Sequence, residues 1–222
     1  MGKMIDLKAS DGHALQAYVA EPAGKPRGAI VVVQEIFGVN SHIRSVADGY
    51  AAEGYLAIAP AMFDREQRGY ETGYTQPEIG AGVEIMKKLD MGNALKDVQA
   101  AIDHVKPAGK VGIVGYCWGG TVAFLAAARA SGLAAAVSYY GGGVPGVADE
   151  KPKVPLMFHF GETDQSIPLD KAKEAAARQP QAETHYYPAG HGFNCDQRGS
   201  FHEQSAKQAR ERSVAFFRKH LG

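Results

Sequence analysis

Strands that alternate with helices along the whole chain predict an α/β protein, with a mostly parallel sheet covered by helices on both faces. Three observations carry this. The runs AIVVV at 29–33 and KVGIVG at 110–115 read as strands buried on both faces, as a parallel sheet requires. Segments of helical spacing at 41–52 and 92–105 lie between such runs. The chain also holds 27 glycines in 222 residues, more than a helical bundle carries in its element interiors, so tight turns must be numerous.

Taken in order, residues 4–8 and 14–20 alternate as two edge strands joined at Asp11-Gly12, a hairpin signal. Strand 29–33 follows, then a helix 41–52 capped by Ser41 and ended near Gly54. Residues 55–59 form a short strand stopped by Pro60. The stretch 61–80, rich in Gly and Tyr, reads as a long loop, and long loops in compact domains are often functional. Helices are expected at 81–89 and 92–105, a strand at 110–115 and a helix at 118–130. Strands at 134–139 and 154–160, a helix at 168–178, a strand at 183–187 and an amphipathic helix at 201–220 complete the pattern. No Pro/Gly/Ser linker, repeat or charge block divides this series, so one domain over 1–222 is expected.

Composition excludes several function classes. Lys and Arg number 24 and so do Asp and Glu, which removes the electrostatic case for nucleic acid or an anionic membrane as partner. Two cysteines make neither a disulfide scaffold nor a four-thiolate metal site. The first residues lack a secretory apolar core, and Asp6 stands where myristoylation needs Ser or Thr. The expectation is a cytoplasmic protein, monomer or small homo-oligomer, without cofactor or metal, acting on a small molecule.

The specific signal is the strand–turn–helix at Gly115-Tyr-Cys-Trp-Gly-Gly120. It is the nucleophile-elbow pattern G-x-S-x-G with Cys117 in the serine position, and no G-x-S-x-G competes elsewhere. Cys117 then sits at a helix N-terminus, which favours a thiolate, and the Trp118 N–H faces a developing oxyanion. Two plainer readings exist: a small buried cysteine, or glycines that cradle a phosphate. The second lacks the G-x-G-x-x-G spacing and falls on an internal strand.

An elbow nucleophile needs an acid and then a histidine in chain order. Asp164 lies just past strand 154–160, with Glu162 as its local competitor, and by itself would read as a turn or cap aspartate. His191 follows strand 183–187 between two glycines. Of the other histidines, His13, His42, His104, His185, His202 and His220 fall on expected surface positions, and His159 lies within a strand. Glu35 ends strand 29–34 and opens the loop whose Ile36 N–H is the second expected oxyanion donor. A carboxylate there is either a capping or ion-paired residue or turned to the Cys117 thiol.

Together Gln34-Glu-Ile-Phe-Gly-Val-Asn40, Gly115-Tyr-Cys-Trp-Gly-Gly120, Asp164 and Gly190-His-Gly-Phe193 resemble the dienelactone hydrolase family of α/β-hydrolases, over nearly the whole chain. The resemblance implies an α/β-hydrolase fold and a Cys117–Asp164–His191 triad. It also implies oxyanion donors at Ile36 and Trp118, and a Glu35 that contacts the resting thiol until substrate displaces it. A nearby carboxylate disfavours the thiolate and so shields the sulfur from oxidation. Members that cleave dienelactone hold its carboxylate with two arginines. Here Cys195 stands four places past His191, residues 69–86 hold no arginine, and the neighbouring candidates are Arg65, Arg68 and Arg198. Reaction class is therefore better specified than substrate. The alternatives are a general esterase or thioesterase, a silent binding protein, and a thiol redox protein. Retention of the triad and Glu35 opposes the silent protein, and the absence of C-x-x-C opposes the redox one. A metal site at His191, Cys195 and Asp196 has no supporting ligand spacing.

Overall fold

The computed structural model describes residues 2–222. Its centre is one eight-stranded sheet in the order β1-β2-β4-β3-β5-β6-β7-β8. β1 (Lys3–Lys8) and β2 (Ala14–Ala20) form the antiparallel hairpin, and β2 also pairs antiparallel with β4 (Leu56–Pro60). From β4 onward every pairing is parallel, through β3 (Ala29–Val33), β5 (Val111–Tyr116), β6 (Leu133–Tyr139), β7 (Leu156–Gly161) and β8 (Glu183–Tyr187). The two strands that read as continuous apolar runs, β3 and β5, are neighbours in the middle and are buried at every residue.

Helices cover the sheet as expected. α1 (Ser41–Ala52) and α7 (Glu203–Leu221) meet where Tyr50 and Phe217 pack edge to face, 5.8 Å between ring centres. α3 (Met91–Val105) and α4 (Trp118–Arg129) pack on each other and on the central strands. α7 is fitted tightly: a Cβ on Gly112 of β5 would lie 2.6 Å from the Phe217 ring. α6 (Leu169–Ala177) follows β7, and a one-turn helix α5 (Val144–Val147), absent from the expectation, lies between β6 and β7.

Other features depart from the sequence reading as well. The stretch 61–80 is not all loop. It holds a 3₁₀ turn at Met62–Arg65, and α2 (Gln76–Met86) starts within it. The start is set by a capping box in which Glu78 accepts from the Thr75 backbone N–H and hydroxyl, with Pro77 in the first turn. β4 includes Pro60, which pairs with Ala17 at the last rung, where a missing N–H costs little. His42 is buried rather than exposed, because Asp196 takes its Nδ1 at 3.0 Å. Asn40, not Ser41, caps α1, its side chain accepting from the Ile43 N–H. Among the described residues no helix is long and apolar enough to cross a membrane.

Candidate active site

The carboxyl ends of β3, β5, β7 and β8 converge on one cavity of about 450 Å³. Cys117 stands between β5 and α4 with φ 54° and ψ −119°. A non-glycine residue seldom adopts that conformation, which costs on the order of 1–3 kcal/mol and persists only where the surroundings impose it. The surroundings here are backbone. A Cβ on Gly115 would lie 1.8 Å from the Gly119 carbonyl oxygen, and one on Gly119 would lie 2.3 Å from that of Gln34. Only glycine lets strand and helix approach so closely, so the turn lifts the Cys117 side chain out of the sheet.

His191 arrives on the loop after β8. Its Nε2 lies 3.0 Å from Cys117 Sγ and its Nδ1 lies 2.8 Å from Asp164 Oδ2. The other Asp164 oxygen accepts from the Ser166 and Ile167 N–H groups at 2.7 and 3.1 Å, which fixes the carboxylate. Burial works against charge on His191, but the Asp164 carboxylate and the Cys117 sulfur outweigh it and raise its pKa to about 10. The Tyr140 ring packs edge-on against the imidazole at 5.2 Å, with Tyr140 itself at φ 36°. The sequence reading did not find Tyr140, since nothing in Ser-Tyr-Tyr-Gly marks one tyrosine as a support for a distant histidine. The loop is tied down further along, where Asp196 meets His42 and Gln197 accepts from the Ser41 hydroxyl at 2.9 Å.

The residues singled out from the sequence are thus brought together, with one change of partner. Glu35 is 1% exposed and its Oε1 accepts from Arg198 Nη1 at 3.0 Å. Oε2 is buried without a hydrogen-bond partner. The thiol is engaged by His191, not by Glu35. A buried carboxylate is costly unless paired, and the guanidinium offers a stronger partner than a thiol. The signal for Arg198 was its place in the loop after His191; what hid it was its distance from the position the family pattern uses. Arg65 and Arg68 are committed elsewhere, Arg65 to buried Asp97 at 2.7 Å and Arg68 to Asp6 at 2.8 Å.

Ile36 and Trp118 both line the cavity beside Cys117, and Trp118 opens α4, where the first N–H groups have no intrahelical acceptor. Cys195 is wholly buried, and burial, then the Glu35 charge, pushes its thiol up to about 11. Burial and the raised pKa both oppose a thiolate there, as for a cysteine that packs the loop. The metal-type grouping that does form joins Cys195 and Asp196 to His42, not to His191. The far wall carries Ile79, Val83 and Met86 of α2 with Met91 of α3, residues the sequence reading passed over. Their spacing of four and three along α2 was the signal that could have found them.

A sulfur held at a strained turn, a histidine within hydrogen-bond reach and a fixed carboxylate behind it form an arrangement that can activate a thiol toward an acyl carbon. The comparisons bear on the family and the reaction class. The model of the dienelactone hydrolase family matches residues 15–221. A carboxymethylenebutenolidase of Pseudomonas putida is 33% identical, covering 96% of this chain and 94% of its own. A provisionally assigned carboxymethylenebutenolidase of Azospirillum brasilense is 36% identical over 98% and 99%. The crystal structure of a Klebsiella pneumoniae protein, provisionally assigned as a dienelactone hydrolase, superposes with a TM-score of 0.84 at 33% identity, covering 98% of this chain and all of that one. The chain belongs to the dienelactone hydrolase family, has the α/β-hydrolase fold, and is a carboxylic ester hydrolase.

Proposed function

We propose that the protein hydrolyses small carboxylic esters or lactones, dienelactone-type substrates among the candidates, through a thioester on Cys117. The observation that carries this is the unbroken line from Asp164 to His191 to Cys117, at 2.8 and 3.0 Å. The Cys117 sulfur attacks the acyl carbon, with its proton held on His191. The Ile36 and Trp118 N–H groups receive the charge that develops on the carbonyl oxygen. As the C–O bond to the leaving group breaks, His191 gives that oxygen the proton. Water then attacks the thioester while His191 takes its proton, the C–S bond breaks, and the acid leaves with the thiolate restored.

Asp164 holds the imidazole so that Nε2 points at sulfur and stabilises its charged form. The elements described need water as the only co-reactant. A thiolate leaves readily, so activated acyl groups such as enol lactones suit this site better than amides. The strain at Cys117 speaks against a silent binding protein, which has no use for a conformation that costs stability. Two free thiols suit the cytoplasm as the place of action.

Cys117→Ala and Cys117→Ser test the reading through turnover of p-nitrophenyl acetate. The expected result is a loss of at least about 10³-fold in both, with circular dichroism and Tm retained. Turnover within a few-fold of the native rate removes Cys117 from the mechanism.

A further inference from the structure

The cavity lining is chemically of two kinds. Cys117 and His191 supply reactive groups, and Ile79, Val83 and Met86 of α2 with Met91 of α3 supply an apolar wall. Ile79, Val83 and Met86 share one face of the helix, so a chain lying along α2 meets only aliphatic and thioether surface. Gly82, on the same helix, brings that face close: a Cβ there would lie 2.3 Å from the Ile36 carbonyl oxygen. α2 therefore rests directly on the loop that carries the Ile36 N–H.

Among the described residues Arg198 is the one arginine or lysine that lines the cavity, and it is already paired; His191, the other basic group there, is held between Asp164 and Cys117. The Arg198 Nη1 is 3.0 Å from Glu35 Oε1, on a side chain only 16% exposed, and its guanidinium carbon lies 5.4 Å from the centre of the Phe37 ring and 6.0 Å from that of Tyr74. A substrate carboxylate has two ways to reach it. It can share one guanidinium with Glu35, which sets two negative charges together in a poorly solvated place. Or it can displace Glu35, whose Oε2 has no partner, and leave a buried carboxylate uncompensated. A neutral acyl chain meets neither obstacle and gains from every methylene it sets against α2.

We infer that the substrate is an uncharged ester or lactone with an apolar acyl part, seated against Ile79, Val83, Met86 and Met91, rather than one that carries a carboxylate. The inference rests on Cys117 as nucleophile and adds the substrate class to it.

The test compares two esters of equal length, p-nitrophenyl pentanoate and mono-p-nitrophenyl glutarate, in which a carboxylate replaces the terminal methyl. The expected result is a kcat/KM about 30- to 100-fold higher for pentanoate, as for a charge that lacks a compensating partner. From acetate to pentanoate kcat/KM should rise about fourfold per methylene. Equal or faster turnover of glutarate overturns the inference. In Met86→Arg, which places an unneutralised cation on the apolar wall, the ratio should move toward glutarate by at least about tenfold; an unmoved ratio in a folded variant means that the acyl chain lies elsewhere. The native comparison decides the matter if that variant does not fold. Cys117→Ala separates the two claims. Unchanged pentanoate turnover there defeats the nucleophile assignment, whereas Cys117-dependent turnover with glutarate preferred defeats only the substrate class.

Discussion

The two sides of the cavity are held in different ways. Around Cys117 the backbone decides everything: β5, α4 and the loop after β3 touch through carbonyl oxygens and glycines, and no rotamer can relieve a clash there. Along α2 the cavity is walled by side-chain ends of residues that are half buried, on a helix of 11 residues whose start is fixed by a surface capping box. The proposed chemistry therefore sits on the rigid side and the inferred selectivity on the adjustable one. Substitutions on the first side should remove activity or the fold, and those on the second should redirect activity among substrates.

The largest effect expected to sharpen this contrast is that of Asp164→Asn. The amide keeps the shape but cannot hold the imidazolium, so kcat/KM should fall by about 10²–10³-fold with Tm nearly unchanged. Its pH profile carries a second signature. In the native enzyme His191, raised to about 10, should give the alkaline limb of kcat/KM near that pH, since the protonated form serves the leaving group. Loss of the carboxylate lowers that pKa, and the limb should move to lower pH. The same shift contributes to folding. Because the folded pKa lies above the reference value of 6.5, its stabilisation is complete below pH 6.5 and is lost as pH rises through about 10. An alkaline limb that stays in place in Asp164→Asn removes Asp164 as the partner that raises His191.

Next comes Gly119→Ala. The added methyl would lie 2.3 Å from the Gln34 oxygen and 2.6 Å from that of Val33, both backbone, so strand or helix must shift. A destabilisation of about 2–4 kcal/mol in denaturant unfolding is expected, far above the gain that Ala brings to an ordinary helix. A neutral or stabilising outcome would mean that the elbow is less rigid than the packing indicates.

The smallest effect belongs to Gly82→Ala, where two terms oppose each other. Its methyl also meets a backbone carbonyl oxygen, that of Ile36, at 2.3 Å, so α2 must shift, but Ala improves an interior helix position by about 1 kcal/mol and offsets part of that cost. Tm should change by no more than a few degrees, while the ratio of kcat/KM for pentanoyl and acetyl esters changes several-fold. A large loss of stability would show that α2 belongs to the rigid side.

The same division governs what could be read from the sequence. The strand order needed only apolar runs and chain direction, and the triad needed only an elbow, a strand-end acid and a strand-end histidine in order. Those features are local, so the convergence of Cys117, Asp164 and His191 was legible. The start of α2 was also local, in Thr75-Gln-Pro-Glu78, but the glycines and tyrosines before it concealed the capping box. The Glu35–Arg198 pair was not legible, because 163 positions separate its members and only the assembled sheet brings them within 3.0 Å. Tyr140 and buried His42 were missed for the same reason. Each owes its place to a partner on another element, His191 for one and Asp196 for the other.

The account stands on an acyl group carried by sulfur. Rapid acid quench of the native enzyme during turnover of p-nitrophenyl pentanoate, followed by intact-protein and peptide mass analysis, measures this directly. The expected result is one pentanoyl adduct on the peptide that contains Cys117, released by hydroxylamine at neutral pH as a thioester is. An adduct on any other residue, or turnover with no adduct in a time course that resolves the burst, would contradict it.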